Sequence, residues 1–181
     1  MKISHDSISY AKPCGFWAKL IRPWHRCQSK TLDEQYNLGV RYFDIRMKFG
    51  DTYAIYLVHN NVQYDITWEY VYGWFRKHKD CYARIILDQR KKPNDADNQA
   101  KLFESLLTVW AKEFNIFEAI IYWNWKHLIK PSFNYSEYHF SVSSKWYEKL
   151  LGIKHFAKKN NSKKDYKSED IMIDYVEYGS I

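Results

Sequence analysis

The sequence predicts an α/β protein built on a parallel sheet, in the form of a shortened or incomplete TIM-barrel-like (β/α) barrel. Strand-like and helix-like segments alternate along the chain, which is typical of parallel strands joined by crossover helices. Polar residues recur at the ends of the strand-like segments, where a parallel barrel gathers its functional side chains. The chain has 181 residues, whereas a complete barrel takes about 200 to 250. We therefore expect one domain over residues 1–181, with an abridged or open barrel.

The first strand is predicted at Met1–Ser4, ahead of a loop-like stretch from Ser7 to Gln28. Inside this stretch, apolar residues fall at near-helical spacing: Phe16, Trp17, Leu20, Ile21 and Trp24. Thr31 and Glu34 form a capping-box pattern, in which each side chain accepts a hydrogen bond from the other residue's backbone N–H. A helix is therefore predicted to begin after Thr31 and to end at Gly39, a residue suited to a helix C-terminus.

Strands and helices continue to alternate through the middle of the chain. Strands are predicted at Val40–Met47, Tyr53–Val58 and Arg84–Leu87. A helix capped by Asp65 or Thr67 runs to about residue 78. A long amphipathic helix is predicted over Asp97–Phe114, because Leu102, Leu106, Val109 and Trp110 repeat on one face.

The C-terminal third predicts further strands at Ala119–Trp123, Tyr138–Val142 and Ile171–Val176. Lys145–Phe156 has a helical pattern, and Lys158–Glu169 is a polar, charge-rich stretch that predicts a surface loop.

The composition favours an anionic partner. The formal net charge is +7, and aromatic residues make up 19% of the chain. A basic balance suits phospholipid headgroups, nucleic acid or a phosphorylated substrate, although many small proteins are basic without a specific partner. Dense Tyr and Trp place aromatic rings on the surface, which suits a membrane interface, a sugar site or a protein partner. We predict no obligate protein partner.

The cysteines and the N-terminus bear on the disulfide state and the cellular compartment of the protein. Cys14, Cys27 and Cys81 form an odd set without a CxxC pair, so neither a disulfide framework nor a zinc site is indicated. Pairing of Cys14 with Cys27 in an oxidising compartment stays open. The N-terminus has no signal-peptide pattern, and no apolar run reaches the roughly 18 residues of a membrane span. We expect a cytoplasmic or peripheral membrane protein, secreted only if the chain is a processed form, and no cofactor.

Polar residues at predicted strand ends include His5, Asp6, Asp44, Arg46, His59, Asp88 and Asp174. Two histidines, two aspartates and one arginine of these form a chemically coherent set, whereas Asp88 is expected to be structural. Cleavage of a phosphodiester through a neighbouring hydroxyl needs a base, an acid and a cation for the phosphoryl oxygens. Histidine can serve as either base or acid near neutral pH. A carboxylate behind each imidazole would fix its tautomer, and arginine binds phosphate bidentately. This set suffices without a metal ion.

The order of these residues resembles a known family. His5-Asp6-Ser7, then Cys27-Gln28 with a capped helix, then the run from Gly39 to Arg46, resembles the start of the bacterial phosphatidylinositol-specific phospholipase C catalytic domain. Val58-His59 falls where that family has its second catalytic histidine. The resemblance continues through the strand at Arg84–Leu87 and returns at Ile173-Asp174-Tyr175, which is similar to the family's last strand.

The resemblance implies a role for each matching residue. His5 would be the general base on the inositol 2-hydroxyl, oriented by Asp174. His59 would be the general acid on the diacylglycerol oxygen, backed by Asp6. Arg46 would stabilise the transition state, in the place that calcium takes in the family's metal-dependent relatives.

Two further positions are assigned to substrate binding. Arg90 falls near a substrate-binding lysine of the family, although Arg90–Lys92 also fits a solvated loop. Asp44 could contact substrate, or it could form a salt bridge that supports Arg46. The sequence departs from the family at Ile3-Ser4, which replaces Gly-Thr, and at Asn60, which replaces glycine. Its second half is also shorter, which leaves the substrate open.

Three functions are compatible with these patterns. The first is a phospholipase C-like lyase acting on a phosphatidylinositol-like lipid. The second is a related phosphodiesterase acting on another glycerophosphodiester or on RNA, and the third is an inactive phospholipid-binding module. A peripheral membrane contact through Phe16, Trp17 and Trp24 is compatible with each, since Lys19 and Arg22 would meet anionic headgroups. The alternative for that stretch is a helix packed on the barrel.

Overall fold

The protein is described by a computed structural model that covers residues 2–89, 91–124, 126–129, 154, 157, 161 and 171–178. The strands are β1 (Lys2–Ser4), β2 (Tyr42–Phe49), β3 (Ile55–His59), β4 (Val62–Gln63), β5 (Tyr82–Leu87), β6 (Asn115–Ile121), β7 (Lys126–Ile129) and β8 (Ile171–Ile173). The α-helices are α1 (Phe16–Leu20), α2 (Leu32–Asn37), α3 (Trp68–Lys77) and α4 (Ala96–Trp110). Short 3₁₀ turns lie at Arg22–Trp24, Tyr122–Asn124 and Val176–Tyr178. The predicted α/β class is confirmed.

The eight described strands form one sheet that stays open. Strands β8, β1, β2, β5 and β6 run parallel in that order, while β3 pairs antiparallel with β2 and β7 antiparallel with β6. No described strand joins β7 to β8. Within the residues that the structure covers, the sheet is therefore not the closed barrel of a complete TIM fold.

Strand β2 shows how the sequence separates core from site. Phe43, Ile45 and Met47 are buried and belong to the main apolar core with the helices. Successive residues of a strand point to opposite faces, so Asp44 and Arg46 lie on the other face of the sheet. This alternation places two charged side chains on the face of β2 opposite the main apolar core, beside the neighbouring strands β1 and β5.

Two helix caps fix the ends of the helices that cover the sheet. The predicted capping box of α2 is confirmed, since Glu34 N–H donates to Thr31 Oγ1 at 3.2 Å and Thr31 N–H donates to a Glu34 carboxylate oxygen at 2.8 Å. Gly39 follows this helix with a φ of 87°. For α3, the cap is Thr67, whose hydroxyl accepts from the N–H of Tyr70.

Several predicted boundaries are wrong because backbone turns interrupt the apolar pattern. Tyr53 is left-handed, with a φ of 58°, so β3 begins only at Ile55. The predicted strand at Ala119–Trp123 is instead the end of β6 followed by a 3₁₀ turn. The last strand stops at Ile173 because Tyr175, with a φ of 51°, turns the chain. The short strands β4 and β7 were not predicted.

Some predictions fall largely outside the described residues. The strand predicted at Tyr138–Val142 lies entirely outside them. Of the helix predicted over Lys145–Phe156, Lys154 is described, and it is helical. The surface loop predicted over Lys158–Glu169 is wrong at Asn161, which is helical and buried, and whose amide donates to Asp174 O at 2.7 Å.

The cysteine thiols are all free, with Cys14 exposed and Cys27 and Cys81 buried. Among the described helices, none combines the length and the apolar composition that crossing a membrane requires.

Candidate active site

The predicted catalytic residues meet where the parallel strands end. His5 and Asp6 follow β1, Arg46 lies in β2, His59 ends β3 and Asp174 follows β8. The elements that carry them are adjacent in the sheet, so residues distant in sequence come together.

The backbone at this edge adopts left-handed conformations that non-glycine residues rarely take. Asp6, Asn60 and Tyr175 have φ values of 42°, 54° and 51°. Each is a site residue or directly follows one. Such conformations cost about 1–3 kcal/mol each and persist when surrounding contacts impose them. Asn60 stands where the resembling family has glycine, and asparagine tolerates this region better than most residues.

Hydrogen bonds from Ser7 and Ser9 hold the segment after β1 in this conformation. The Ser7 hydroxyl donates to Ser4 O at 2.7 Å and accepts from Asp44 N–H at 3.0 Å. The Ser9 hydroxyl donates to Asp6 O at 2.8 Å and accepts from Cys27 N–H at 2.9 Å. The positions of Asp6 and Cys27 are therefore set by buried local bonds.

Gln28 ties the two edges of the site together. Its amide nitrogen donates to His5 O at 3.1 Å and to Ile173 O at 2.8 Å. Its amide oxygen accepts from Val176 N–H at 3.0 Å. One buried side chain thus fastens the end of β1 to the end of β8, which places His5 opposite Asp174.

His5 and Asp174 form the first imidazole–carboxylate pair. His5 Nδ1 lies 2.6 Å from Asp174 Oδ1, and His5 Nε2 lies 2.9 Å from Arg46 Nη2. A guanidinium can only donate, so Nε2 accepts from Arg46 and the ring proton sits on Nδ1, where it is donated to Asp174. His5 therefore presents a lone pair on Nε2 towards the site.

His59 and Asp6 form the second pair, with the opposite charge preference. His59 Nδ1 lies 3.1 Å from Asp6 Oδ2 and 2.9 Å from His25 O. Burial lowers the pKa of His59, but the Asp6 carboxylate and the His25 carbonyl raise it, and the net pKa lies above the ordinary value. Both neighbours of Nδ1 accept hydrogen bonds, so that nitrogen carries a proton. Among the described residues, His59 makes its polar contacts through Nδ1 alone.

Arg46 is held between two carboxylates beside the histidines. Its Nε lies 3.1 Å from Asp44 Oδ2, and its Nη1 lies 3.5 Å from Asp88 Oδ2. Burial opposes the charge of Arg46, but the Asp44 carboxylate raises the pKa of the guanidinium above its usual range. In turn, burial raises the pKa of Asp44, but Arg46 and Arg84 lower it by more, to about 2.

The two imidazoles face each other across the site. Their ring centroids are 5.6 Å apart and their planes are nearly perpendicular. Beside them lies a polar cleft of about 710 Å³, whose lining includes Lys48, Asn60, Asp88, Gln89 and Lys91. Two of its lining residues adjoin the site, since Asp88 contacts Arg46 and Asn60 directly follows His59.

The structure brings together six of the predicted site residues: His5, Asp6, Asp44, Arg46, His59 and Asp174. Asp44 is fully buried, and its carboxylate contacts Arg46, which favours the salt-bridge role over direct contact with substrate. Arg90, predicted to bind substrate, lies outside the described residues.

Sequence reasoning missed three residues beside the second pair: Cys27 and Tyr64 through their side chains, and His25 through its backbone carbonyl. The Cys27 thiol is buried 3.7 Å from His59 Nδ1, and burial raises its pKa well above the ordinary value. The Tyr64 hydroxyl donates to His25 O at 3.2 Å and lies 3.4 Å from Asp6 Oδ2. Cys27 belongs to the resembling segment and was a detectable signal, whereas nothing local distinguished His25 or Tyr64.

Sequence reasoning also missed a buried ion pair deeper in the sheet. Arg84 Nε lies 2.6 Å from Glu118 Oε2, and Arg84 Nη1 lies 3.8 Å from Asp44 Oδ1. Burial raises the pKa of Glu118 to about 7, although Arg84 opposes this change. A charged residue within each apolar strand indicated a buried charge there, but it did not identify which residues would pair.

The arrangement provides one imidazole whose Nε2 lone pair accepts from a guanidinium, one imidazole whose pKa is raised, and one permanent cation between two carboxylates. Such a set can remove a proton at one end of a bound group, supply a proton at the other end, and neutralise negative charge between them.

Comparison with known proteins identifies the fold. Neither a protein-family model nor a curated protein matches the sequence. Among solved structures, the chain is similar to the phosphatidylinositol-specific phospholipase C from Listeria monocytogenes, with a TM-score of 0.58 and 13% sequence identity. The similarity covers 100% of this chain and 93% of that one. At this level of identity the likeness is one of fold, and the chain has a phospholipase C-like α/β fold.

Proposed function

We propose that this protein is a phosphodiesterase that cleaves its substrate by internal transphosphorylation, releasing an alcohol and a cyclic phosphate. The observation that carries the proposal is the pair of carboxylate-backed imidazoles 5.6 Å apart, with the Arg46 guanidinium 2.9 Å from one of them. The reaction class is that of a phosphorus–oxygen lyase.

His5 is the general base in this proposal. When the phosphate of the substrate takes the hydrogen bonds of Arg46, His5 Nε2 is released from its 2.9 Å contact with that residue. The lone pair then accepts the proton of the neighbouring substrate hydroxyl, whose oxygen attacks phosphorus. Asp174 Oδ1 lies 2.6 Å from His5 Nδ1 and accepts its proton in a hydrogen bond. This contact orients the ring and stabilises the imidazolium that forms.

His59 is the general acid. Its raised pKa favours the imidazolium, the form that can donate a proton. It gives a proton to the leaving oxygen as the bond to phosphorus breaks, and Asp6, 3.1 Å from Nδ1, stabilises the protonated ring beforehand. After cleavage, His5 carries one proton more and His59 one proton fewer. Exchange with solvent restores the starting state.

Arg46 stabilises the charge that builds on the non-bridging phosphoryl oxygens. Asp44 is a positioning residue, since it is fully buried and holds Arg46 Nε at 3.1 Å. Because the guanidinium supplies the positive charge directly, this mechanism requires no metal ion.

The substrate class is a phosphodiester with a hydroxyl next to the phosphate, and we propose a phosphatidylinositol-like lipid. The similar solved structure is named as a phosphatidylinositol-specific phospholipase C. The polar cleft of about 710 Å³ beside Asp88 and Asn60 has the size and lining for a polyol headgroup. Arg90 is retained in this proposal as a candidate contact to that headgroup.

A lipid substrate also suits the surface formed by α1 and the 3₁₀ turn that follows it. No residue of these two segments is buried. Phe16 and Trp17 are 70% and 76% exposed, and Trp24 is 46% exposed. We propose that these rings enter the bilayer interface while Lys19 and Arg22 meet anionic headgroups.

Vesicle binding tests this surface. The double variant Trp17→Ala, Trp24→Ala should bind anionic vesicles more weakly, measured by sedimentation. Tyr70→Ala is the matched control, because Tyr70 is also an exposed aromatic residue, at 45%, but lies on α3. Equal vesicle affinity of the double variant and the control would exclude the docking role.

The activity test is ³¹P NMR of phosphatidylinositol in detergent micelles with excess chelator. We expect a cyclic inositol phosphate to accumulate, and we expect His5→Ala and His59→Ala to abolish it. His78→Ala, on a histidine at the end of α3, should remain active. Parallel reactions with other glycerophosphodiesters and with RNA identify an alternative substrate. No turnover of any of them, or turnover only with added metal, would contradict the proposal.

A further inference from the structure

The site contains a thiol that the proposed reaction does not use. Cys27 is fully buried, and its Sγ lies 3.7 Å from Nδ1 of the His59 imidazole. One ligand atom from each of His5, Cys27 and His59 lies within 4.8 Å of the others. Proton transfer by the two imidazoles does not require a buried thiol, so Cys27 is a candidate for a different role.

Two imidazoles and one thiolate form a donor set for a borderline-soft cation. Zinc takes such ligands at about 2.0–2.1 Å for nitrogen and 2.3 Å for sulfur in tetrahedral geometry, which places neighbouring ligand atoms about 3.6 Å apart. The Cys27–His59 separation of 3.7 Å already equals one such edge. The remaining separations are at most 4.8 Å, so those atoms need to close by up to about 1.2 Å to reach that spacing.

The charges around these three residues also favour a dication. Asp174 contacts His5, and Asp6 contacts His59. Asp6 is completely buried, and its Oδ1 accepts no hydrogen bond from the described part of the chain. A buried carboxylate oxygen without a donor is costly unless a cation or a proton meets it. Arg46 Nη2 is the nearby opposing charge, and zinc bound at His5 Nε2 would displace it.

We propose that His5, Cys27 and His59 form an inhibitory site for zinc or a similar borderline-soft divalent cation. The Cys27 thiol and His59 Nδ1 each lose a proton to water as the metal binds, and His59 gives up its hydrogen bonds to Asp6 and His25 O. The fourth position stays open to water or to an anion. Zinc bound in this way occupies both imidazoles, so neither can transfer a proton. The inhibition rests on the proposed function, whereas the metal site itself does not.

Cobalt absorption tests the site without reference to activity. The parent is a Cys14→Ser variant, which removes the exposed thiol. Adding Co²⁺ to it should produce a thiolate-to-cobalt charge-transfer band, and Cys27→Ser in the same background should abolish the band. Cys81→Ser, which removes the other buried thiol, is the matched control and should keep the band. A band that is missing from the parent, or that survives Cys27→Ser, would overturn the metal site.

Zinc inhibition is measured in parallel with the cyclic-phosphate assay. The inhibitory zinc concentration should rise by at least about 10- to 100-fold in Cys27→Ser, and excess chelator should restore the parent. Equal inhibition of parent and variant would overturn the proposal. A protein without turnover refutes the proposed function alone, since cobalt absorption still decides the metal site. Should Cys27→Ser fail to fold, X-ray absorption of the zinc-loaded parent decides, because a shell without sulfur excludes Cys27.

Discussion

Two arginines on neighbouring strands have similar burial and share one carboxylate, but they differ in their other partners. Arg46 on β2 and Arg84 on β5 are both largely buried, with side chains 12% and 7% exposed. Both contact Asp44, through Oδ2 at 3.1 Å and Oδ1 at 3.8 Å. Arg84 also lies 2.6 Å from Glu118 within the sheet. Arg46 lies two residues closer to the carboxyl end of its strand than the level of Arg84, and it donates to His5.

The difference lies in what a ligand can reach. Arg46 bonds to a neutral imidazole that a phosphate can displace, so part of its donor capacity is exchangeable. Arg84 is matched by a carboxylate in the sheet interior, where exchange would leave Glu118 unpaired. In the proposed mechanism, position along the strand therefore separates Arg46, which would contact the phosphate, from Arg84, which pairs with Glu118 inside the sheet.

The largest effect should follow from replacing Arg46. Arg46→Lys keeps the charge but loses the planar fork that binds phosphate bidentately. Removing such a group from phosphoryl transfer costs about 10³- to 10⁵-fold in rate. We expect kcat to fall by at least about 10³-fold in the cyclic-phosphate assay, with a folded protein by circular dichroism. A loss below tenfold would show that Arg46 resembles Arg84 in function.

Replacing Arg84 should reverse the pattern. Breaking a buried ion pair by removing one partner destabilises a protein by about 3–5 kcal/mol, which we expect for Arg84→Met in urea unfolding. The double variant Arg84→Met, Glu118→Gln should recover part of this loss, because it removes the unpaired carboxylate. Well below its unfolding midpoint, Arg84→Met should retain turnover. Loss of activity without loss of stability would contradict the comparison.

Asp44 contacts both arginines and should combine a smaller share of each effect. Its pKa in the folded protein is about 2, against an ordinary value of 3.8. This lowering stabilises the fold above the ordinary pKa by about 2 kcal/mol, and the contribution is lost as pH falls towards the folded value. Asp44→Asn should remove it and also release Arg46. We expect a lower urea midpoint at neutral pH and a reduced kcat, with the stability difference from the parent vanishing in acid.

The two arginines also show how far the sequence could lead. Arg46 was predicted because it ends a run that resembles a known family, and His5, Asp6 and His59 were predicted for the same reason. The Arg84–Glu118 pair was not predictable, because a bulge between Ala83 and Arg84 shifts the register of β5 against β6. Continuation of the Ala83–Ile116 pairing would have placed Phe117 opposite Arg84. The contact between Cys27 and His59 was not predicted, because it depends on the path of a loop that no local sequence pattern specifies.

The smallest effect is a shift in pH dependence that distinguishes the two imidazole pairs at the mouth of the site. Activity should fall on the alkaline side of the profile as His59 loses its proton. Asp6 is the main contact that raises the pKa of His59 against the effect of burial. Asp6→Asn should therefore lower that pKa and move the alkaline limb of the kcat profile to lower pH. Asp174→Asn is the control, because Asp174 contacts His5 rather than His59 and should leave the alkaline limb in place. If Asp6→Asn lowered kcat at every pH without moving the alkaline limb, His59 would not be the acid. Arg46 would then have to bind the phosphate of a substrate that is cleaved by a different reaction.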